Sequence, residues 1–415
     1  MSKNIKRRSF MKLAGTGLAG LLLSGTSSAK TSANKPNIVL ILADDLGYAS
    51  INSYGADKKL VRTPHIDSIA DKGMRFTNAY VPASVCSPTR YGLLTGRYPW
   101  RSSLKFGVVS RLDPLLPDPD RVTVADWLNE RGYNTAAIGK WHLGYGENDP
   151  RDYTGKLSPG PLDLGFDYHF GVPQNHDSPA GVYVEDDHVY GLNSKKVTAY
   201  SRSSYGDPYM GIDAPQRVNK EVMQVLTDKS IDWLKKQNSD NPFFLYFAPV
   251  AVHEPITPSD YMRGLSDCGP YGDFIQDLDL SVGRILETIE YMNLTDNTII
   301  IFTNDNGGAI PKRPESPEKH AIEQGLKLNG DFRGDKCEIY EGGLRVPFIV
   351  SWPGNVKEGS VSDDMINLLD VFATVCEITD GELPASKDIA PDSFSFLSTL
   401  LNKTKKASKN VYGNR

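Results

Sequence analysis

Short apolar runs rich in β-branched and aromatic residues recur along this chain, and each is bounded by turn or polar residues. They lie at residues 37–43, 135–139, 243–248, 298–303 and 347–352. Because their apolar character is continuous rather than alternating, we expect strands covered on both faces, as in a parallel sheet. Segments with apolar residues at helical spacing lie between them, at residues 122–131, 218–236 and 274–291. This alternation predicts a doubly wound α/β domain with a largely parallel sheet and helices on both faces.

Polar residues follow several of these runs at the point where each predicted strand ends. They are Asp44 and Asp45 after the first run, Lys140 and His142 after the second, His253 after the third, and Asp305 and Asn306 after the fourth. In doubly wound folds, ligands bind beyond the carboxyl ends of the strands. The sequence therefore predicts a functional site at this edge of the sheet.

The paired aspartates at positions 44 and 45 indicate a cation at that edge. Two carboxylates directly after a buried strand are costly unless a positive charge lies between them. For either aspartate alone, a helix cap would be the default interpretation. With Asp305 and Asn306 at the end of another strand, a hard divalent cation is the better explanation, since calcium and magnesium take carboxylate and amide oxygens.

The first 29 residues differ in composition from the rest of the chain. A basic twin-arginine start at residues 6–12 precedes a mildly apolar, glycine-rich stretch and a small-residue cleavage site at 27–29, which indicates a twin-arginine export signal. The apolar stretch is too short for a membrane span, so we expect no stable membrane anchor. We therefore expect the protein to be exported to the periplasm or to the outside of a bacterial cell.

Net charge argues against nucleic acid as the ligand. The chain holds 46 basic and 51 acidic residues, and the predicted signal contains five of the basic residues and none of the acidic ones. The remaining 41 basic and 51 acidic residues give the mature chain a formal charge of −10. Such a field repels polyanions, so an anionic substrate needs a local basic pocket.

The twelve residues 86–97, CSPTRYGLLTGR, form the most specific motif in the chain. Pro88 suits the first turn of a helix, which places Cys86 just before a helix N-terminus, where orphan N–H groups favour anions. A free cysteine alone is more simply a small buried hydrophobe. The full string resembles the signature of the type I sulfatases, in which the cysteine is oxidised to formylglycine.

Further strings extend this resemblance over most of the chain. Residues 37–47, 63–67, 139–144, 253–255, 302–307 and 340–347 are similar, in order, to motifs of the sulfatases of the alkaline phosphatase superfamily. Thr89 and Asn304 stand where serine is more frequent in the family, and neither change removes a needed functional group. The resemblance implies the doubly wound, alkaline phosphatase-like fold already expected from the strand pattern.

The resemblance also implies a role for each predicted site residue. Asp44, Asp45, Asp305 and Asn306 would bind one calcium ion, which also touches the formylglycine made from Cys86. Arg90 would hold the hydrated aldehyde, and Lys140 would contact the sulfate and the diol. His142 would accept a proton from the diol, while His253 and Lys336 would assist the leaving alcohol.

The implied activity is hydrolysis of sulfate monoesters, and sulfated carbohydrates are favoured over small aryl sulfates. Partners would include a formylglycine-generating maturation enzyme and the twin-arginine export machinery. A phosphate or phosphonate monoester hydrolase of the same superfamily is the alternative enzyme. A catalytically silent binding protein is the alternative from another class.

The expected domain boundaries follow from these motifs. Residues 1–29 are the export signal, 30–380 the catalytic α/β domain, and 381–415 the start of a C-terminal antiparallel subdomain that we expect to be truncated. Residues 146–213 and 307–336 are predicted as long loops over the active edge. Among the loop histidines, His176 and His188 are candidates for substrate contact, with exposure to solvent as the simpler expectation.

Overall fold

The strands form one large sheet of ten strands and two small two-stranded sheets in the computed structural model. The model describes residues 35–149, 151–177, 181–200, 209–238, 241–382, 386 and 388–403. The strands are β1 (Asn37–Ala43), β2 (Met74–Phe76), β3 (Ala79–Tyr80), β4 (Asn134–Lys140), β5 (Tyr168–Val172), β6 (Val184–Glu185), β7 (His188–Val189), β8 (Val197–Tyr200), β9 (Tyr209–Ile212), β10 (Phe243–Ala248), β11 (Thr298–Asn304), β12 (Phe348–Ser351), β13 (Ser360–Ser362) and β14 (Ile366–Asn367).

Helices occupy most of the long connections between the strands. The α-helices are α1 (Pro64–Asp71), α2 (Cys86–Thr95), α3 (Val124–Asn129), α4 (Val222–Leu234), α5 (Pro270–Tyr291), α6 (Pro317–Glu323), α7 (Glu341–Leu344), α8 (Asp370–Asp380) and α9 (Leu397–Leu400). Short 3-10 turns lie at Asn52–Tyr54, Pro99–Arg101, Pro161–Leu164, Asn219–Glu221 and Thr295–Asn297.

The centre of the large sheet is parallel, as the continuous apolar runs predict. The full order is β13-β2-β12-β11-β1-β10-β4-β5-β6-β7, and the five strands from β11 to β5 pair in parallel. Antiparallel partners extend the sheet on both sides. The run at 347–352 was expected among the parallel strands, but β12 lies antiparallel to β11. The connection between the two strands, residues 305–347, begins and ends at the same edge of the sheet, so the chain enters β12 in the reverse direction.

Apolar side chains of β1 alternate between two cores on opposite faces of the sheet. Ile38, Leu40 and Leu42 belong to one core, while Val39 and Ile41 belong to the other. Helices α2, α3 and α8 contribute to the first core, and α1, α4 and α5 to the second. The expected doubly wound α/β fold with helices on both faces is therefore confirmed.

The predicted long loops contain more regular structure than expected. The stretch 146–213 contributes β5 to the main sheet, and 307–336 contains α6. Short strands that contain histidine and glycine, such as β5, give a weak apolar signal in sequence, which explains the omission.

The predicted export signal at residues 1–29 lies outside the described part of the chain. Across the described segments, no helix combines the length and apolarity that crossing a bilayer requires. Within the predicted C-terminal unit, described residues 388–403 form turns and the short helix α9.

Candidate active site

The neighbouring strands β1 and β11 bring Asp44 and Asp305 together. Ala43 pairs with Asn304 at the strand ends, so residues 44 and 305 emerge side by side. The Asp305 amide donates to the Ala43 carbonyl at 3.2 Å, and the Asp45 amide donates to Asp305 Oδ1 at 3.3 Å. Strand register thus produces a buried carboxylate cluster, at the edge where the sequence predicted a site.

Two backbone hydrogen bonds join the turn after β10 to Asp44. The Asp44 amide donates to the Ala251 carbonyl at 2.9 Å, and the Val252 amide donates to the Asp44 carbonyl at 2.5 Å. This pair of bonds fixes the backbone just before His253. The His253 ring consequently reaches the carboxylate cluster, with its Nε2 3.7 Å from Asp45 Oδ2.

Cys86 lies at the start of α2 and faces the cluster. Its Sγ is 3.9 Å from Asp44 Oδ1. We expected the cysteine just before the helix, but the extended backbone of Val85 makes Cys86 the first helical residue. Burial raises the pKa of the Cys86 thiol to about 12, despite the charges of Lys140 and Lys336. An unmodified thiol here is therefore a poor nucleophile at neutral pH.

Arg90, one helical turn beyond Cys86, joins three parts of the site. Its Nε and Nη2 donate to Asp305 Oδ2 at 3.1 and 2.8 Å, and its Nη1 donates to the Lys140 carbonyl at 2.8 Å. The side chain is fully buried. Although burial opposes the charge, Asp305 raises the pKa of Arg90 overall. The guanidinium therefore fixes α2 against the ends of β4 and β11.

Two lysines pair with the two adjacent aspartates. Lys140 Nζ donates to both carboxylate oxygens of Asp44, at 2.8 and 2.6 Å. Lys336 Nζ lies 2.7 Å from each carboxylate oxygen of Asp45. Burial raises the pKa of Asp44, and the charge of Lys140 opposes that shift. Burial acts in the same direction on Asp45, but the charge of Lys336 outweighs it and lowers the pKa of Asp45 overall.

His142 presents a nitrogen without a protein partner. Its Nε2 lies 3.1 Å from the Val109 carbonyl, and since a carbonyl only accepts, Nε2 carries the proton. Its buried Nδ1 has no hydrogen-bond partner among the described residues. Burial, together with the charges of Lys140 and Arg90, lowers the pKa of His142 well below its usual value. The ring is thus a neutral base with Nδ1 free to accept a proton.

His253 is held in the opposite tautomer. Its Nδ1 lies 2.6 Å from the carbonyl of Glu254 and must donate to it, so the neutral ring leaves Nε2 without a proton. Burial lowers the pKa of His253 to about 3, although Asp45 opposes the shift. The Lys336 ammonium, which pairs with Asp45, is the group near His253 Nε2 that carries a proton.

Two site residues have left-handed backbone conformations that are unusual outside glycine. Asp45 has φ 59° and His142 has φ 56°. Such conformations cost about 1 kcal/mol or more and persist where the surroundings impose them. Asp45 and His142 lie two residues beyond the ends of β1 and β4. At both points the chain turns sharply away from the sheet, and the turn orients one functional side chain.

The donor set fits a hard divalent cation. Ligand atoms of Asp44, Asp45, Cys86 and Asp305 all lie within 4.8 Å of one another. Asn306 Nδ2 donates to Asp45 Oδ1 at 2.8 Å, and its buried Oδ1 has no partner within the described chain. Three carboxylates and one amide oxygen match calcium or magnesium rather than zinc.

The balance of charges in the cluster also favours a bound divalent cation. The three carboxylates of the cluster are balanced by the three cationic side chains of Arg90, Lys140 and Lys336. No excess positive charge is left in this set to attract an anionic substrate. A divalent cation among the oxygens would supply that excess.

Asn304 and Val109 support the site although the sequence analysis gave them no role. Asn304 Oδ1 accepts from the Leu46 amide at 3.0 Å, and its Nδ2 donates to the Leu46 carbonyl at 2.7 Å. It thereby fixes the turn that carries Asp45. The position of Asn304 next to Asp305 was a usable signal, whereas the Val109 carbonyl that orients His142 leaves no mark in a sequence.

The two loop histidines have different surroundings. His188 is exposed, as the simpler expectation predicted. His176 is only 1% exposed, so that expectation was wrong for it. Its Nε2 lies 2.8 Å from Thr257 Oγ1 in the segment that follows β10, and this contact holds the ring inside.

Comparison with known proteins agrees with this geometry. The sequence model of the sulfatase family matches residues 36–381. An N-acetylgalactosamine-6-O-sulfatase of Bacteroides thetaiotaomicron is 37% identical over 406 residues, covering 90% of this chain and 78% of that protein. Human N-acetylgalactosamine-6-sulfatase is 33% identical over 374 residues, covering 88% and 66%.

A solved structure shows the same architecture. The protein comes from a glycosaminoglycan-metabolising locus of Bacteroides thetaiotaomicron, and it superimposes with a TM-score of 0.82 at 36% identity. The match covers 89% of this chain and 82% of that one. The chain therefore belongs to the sulfatase family, enzymes that hydrolyse sulfate esters on an alkaline phosphatase-like fold.

Proposed function

We propose that this protein removes sulfate from sulfated carbohydrates, with N-acetylgalactosamine 6-sulfate as the leading candidate residue, and that residue 86 acts as formylglycine. The observation that carries the proposal is the position of Cys86 Sγ, 3.9 Å from Asp44 Oδ1 inside a buried cluster of carboxylates and cations. Two of the relatives described above are named for that sulfated sugar, which supports the choice of substrate.

Asp44, Asp45, Asp305 and Asn306 would hold one calcium ion through their side-chain oxygens. When bound, the ion supplies positive charge that stabilises oxygen anions during sulfate transfer. The unpartnered Oδ1 of Asn306 supports this assignment.

Residue 86 supplies the nucleophile in this account. As formylglycine it would present a hydrated aldehyde. One hydroxyl would attack sulfur and displace the alcohol, which leaves the sulfate esterified to residue 86. The second hydroxyl would then lose its proton and re-form the aldehyde as the C–O bond to sulfate breaks. Arg90 orients the start of α2 through its bonds to Asp305 and the Lys140 carbonyl. Lys140 donates to both oxygens of Asp44, and one of these oxygens is the atom that approaches Cys86 Sγ. Its ammonium therefore lies on the same side of the cluster as residue 86.

Proton movements fall to the two histidines and Lys336. His142 Nδ1 accepts the proton of the second hydroxyl on residue 86 when sulfate is released, because this nitrogen carries no proton and has no partner among the described residues. On the other side of the cluster, His253 Nε2 and Lys336 Nζ both lie against Asp45. We assign stabilisation of the leaving alcohol to this pair, with Lys336 carrying the proton.

Maturation must come before the fold closes. Cys86 is 1% exposed, so a formylglycine-generating enzyme has no access to the thiol in the folded chain. We infer that modification occurs during or soon after synthesis. If residues 1–29 form the twin-arginine signal, oxidation takes place in the cytoplasm and the folded product is exported to the periplasm or beyond.

The test compares two matched esters on protein coexpressed with a maturation enzyme. Hydrolysis of 4-nitrophenyl sulfate should exceed that of 4-nitrophenyl phosphate, and N-acetylgalactosamine 6-sulfate should release inorganic sulfate. Cys86→Ala should abolish both sulfatase activities. Faster turnover of the phosphate would favour the alternative phosphohydrolase, and tight sugar binding without turnover would favour the silent binding protein.

A further inference from the structure

The backbone carbonyl that holds His142 belongs to an irregular stretch of the chain. Residues 103–116, all of which the structure describes, contain no helix or strand. Val109 is the only buried residue within that described stretch, and the residues on either side of it are at least partly exposed. No ladder of backbone bonds holds the Val109 carbonyl, so its position depends on a few individual hydrogen bonds.

Ser87 supplies the bond that holds Val109 in place. The Val109 amide donates to Ser87 Oγ at 3.0 Å, and the Val109 carbonyl lies 3.1 Å from His142 Nε2. Ser87 and His142 are both fully buried, so these bonds lie out of contact with water. Ser87 is the second residue of α2 and directly follows residue 86. The helix that carries the proposed nucleophile thus also holds the backbone that orients the base.

Gln174 gives longer-range support to the same carbonyl. Its Nε2 donates to the Val109 carbonyl at 3.3 Å. A carbonyl oxygen has two lone pairs and therefore accepts from both Gln174 and His142. Gln174 makes no contribution at the Val109 amide, so it does not replace the bond to Ser87. The catalytic account above gives Ser87 no role.

The bond to Val109 decides which nitrogen of His142 is basic. A neutral imidazole carries one proton, and the hydrogen bond made by one nitrogen sets the tautomer of the ring. With Nε2 protonated towards the carbonyl, Nδ1 is the atom that can accept a proton. If the carbonyl moves away, a fraction of the rings will carry the proton on Nδ1 instead. Those rings cannot accept a second proton at that atom.

We propose that Ser87 is a positioning residue, which holds His142 in its reactive tautomer through the backbone of Val109. The Ser87 hydroxyl accepts from the Val109 amide, the Val109 carbonyl accepts from His142 Nε2, and Nδ1 stays available to residue 86. The inference rests on the proposed function, because it assumes that His142 assists the release of sulfate from residue 86. Loss of the Ser87 hydroxyl should therefore slow that second step and leave the first attack on sulfur largely intact.

Rapid-mixing kinetics of matured Ser87→Ala test this role. With 4-nitrophenyl sulfate, the variant should release a burst of up to about one nitrophenolate per aldehyde. Steady turnover should then be about tenfold slower than in the unsubstituted enzyme, a smaller loss than removal of a general base causes. Acid-quenched samples should contain more sulfate ester on residue 86 than the unsubstituted enzyme does. Rates are expressed per aldehyde, measured by mass spectrometry, because residue 87 adjoins the site of maturation.

Thr95→Val is the matched control on the same helix. The Thr95 hydroxyl is also buried, but it donates within α2 to the Tyr91 carbonyl at 2.7 Å. Its removal should leave steady turnover and the amount of sulfated residue 86 as they are in the unsubstituted enzyme.

A double-substitution cycle tests whether Ser87 acts through His142. In a chain that already carries His142→Ala, the further change Ser87→Ala should alter turnover per aldehyde by less than about twofold. A hydroxyl that merely stabilised the fold would lower turnover in both backgrounds.

Nitrogen-15 NMR of histidine-labelled full chain reports the tautomer directly, and it needs no maturation of residue 86. The chain contains seven histidines, so the His142 signals can be assigned from their loss in His142→Ala. The unsubstituted protein should show a neutral ring protonated on Nε2, whereas Ser87→Ala should show a mixture of the two neutral tautomers.

Unchanged turnover per aldehyde in Ser87→Ala would overturn the proposal. Slower turnover without more sulfated residue 86, an equal loss in the His142→Ala background, or an unaltered tautomer would also overturn it, because the effect would then not pass through His142. In each of these cases sulfate ester hydrolysis by the unsubstituted enzyme leaves the proposed function intact. If the matured unsubstituted enzyme hydrolyses no sulfate ester, the proposed function fails and the role of Ser87 with it.

Discussion

Lys140 Nζ lies 2.6 and 2.8 Å from the two carboxylate oxygens of Asp44, and both side chains are fully buried. The pair joins the end of β4 to the end of β1 across β10, the strand between them. Asp44 Oδ1 is also the oxygen that approaches Cys86 Sγ. One carboxylate thus connects the ammonium, the cation site and the residue proposed as the nucleophile.

Replacing Lys140 should damage both stability and catalysis. Lys140→Met leaves Asp44 buried without its ammonium partner, which should cost about 3 kcal/mol of unfolding free energy. Loss of a positive charge beside the reacting sulfate should lower kcat for 4-nitrophenyl sulfate by a factor of about 100 or more.

The control is an exposed pair of the same chemistry. Lys220→Met breaks the surface pair with Asp260 and should change the unfolding free energy by less than about 1 kcal/mol. Equal effects of the two substitutions, measured by chemical denaturation, would contradict the buried role of Lys140.

Calcium should stabilise the fold through the carboxylate cluster. Chelation with EGTA should lower the thermal midpoint and abolish turnover, and excess calcium should restore both. Calcium at about 100 times its dissociation constant stabilises the native state by about 2.7 kcal/mol. Scanning calorimetry with and without calcium measures the effect.

Asn306→Ala removes one proposed oxygen ligand. In this variant the thermal unfolding midpoint should rise only at higher calcium concentrations than in the unsubstituted protein. Asn355→Ala, an exposed site, should respond as the unsubstituted protein does. A midpoint insensitive to calcium in both the unsubstituted protein and Asn306→Ala would argue against a cation in this cluster.

Gly307 permits the close approach of two backbones behind the site. A Cβ at this position would lie 1.8 Å from the Gly342 carbonyl oxygen, so the chain after Asn306 would have to move. Gly307→Ala should therefore lower stability by about 2 kcal/mol and reduce kcat/KM. Gly155→Ala, whose Cβ would lie 3.6 Å from Asp152 Oδ2, should be close to neutral. Comparable denaturation midpoints for the two variants would refute the steric explanation.

His169 should make the fold sensitive to acid. Its Nδ1 donates to the Ala137 carbonyl at 2.9 Å, its Nε2 lies 3.0 Å from the Tyr145 hydroxyl, and burial lowers its pKa to about 4. A histidine with a depressed folded-state pKa contributes stability above pH 6.5 that is lost as the pH falls towards 4. The loss across this window should be about 3 kcal/mol.

Denaturant titrations at several pH values measure that slope. His169→Gln should flatten it, and His188→Gln at the exposed neighbouring hairpin should not. A slope that is unchanged in His169→Gln would assign the acid sensitivity to other groups.

The central sheet and the residue composition of the site could be predicted well from the sequence. The end of β1 follows from an apolar run that stops abruptly at Asp44, and that of β10 from the proline after Ala248. The rule that ligands bind at strand ends then places Asp44 beside Asp305. Strand direction is less visible, because an apolar run such as β12 has the same pattern in either orientation. The length and handedness of the connection decide it.

Tertiary contacts explain what the sequence did not reveal. His176 is buried by a segment about 80 residues away in the chain, through a bond to Thr257. Glu318 lies in the stretch 307–336 that was predicted as a loop, and it is buried because that part of the chain folds as the start of α6. Neither residue has a local pattern that predicts burial.

The identity of residue 86 in the active protein is the central claim. Peptide mass spectrometry of the protein coexpressed with a maturation enzyme, on preparations of differing specific activity, tests it most directly. We predict that an aldehyde replaces the Cys86 thiol in a fraction that rises in proportion to sulfate ester turnover. Full activity in a preparation whose residue 86 is entirely unmodified cysteine would contradict the account.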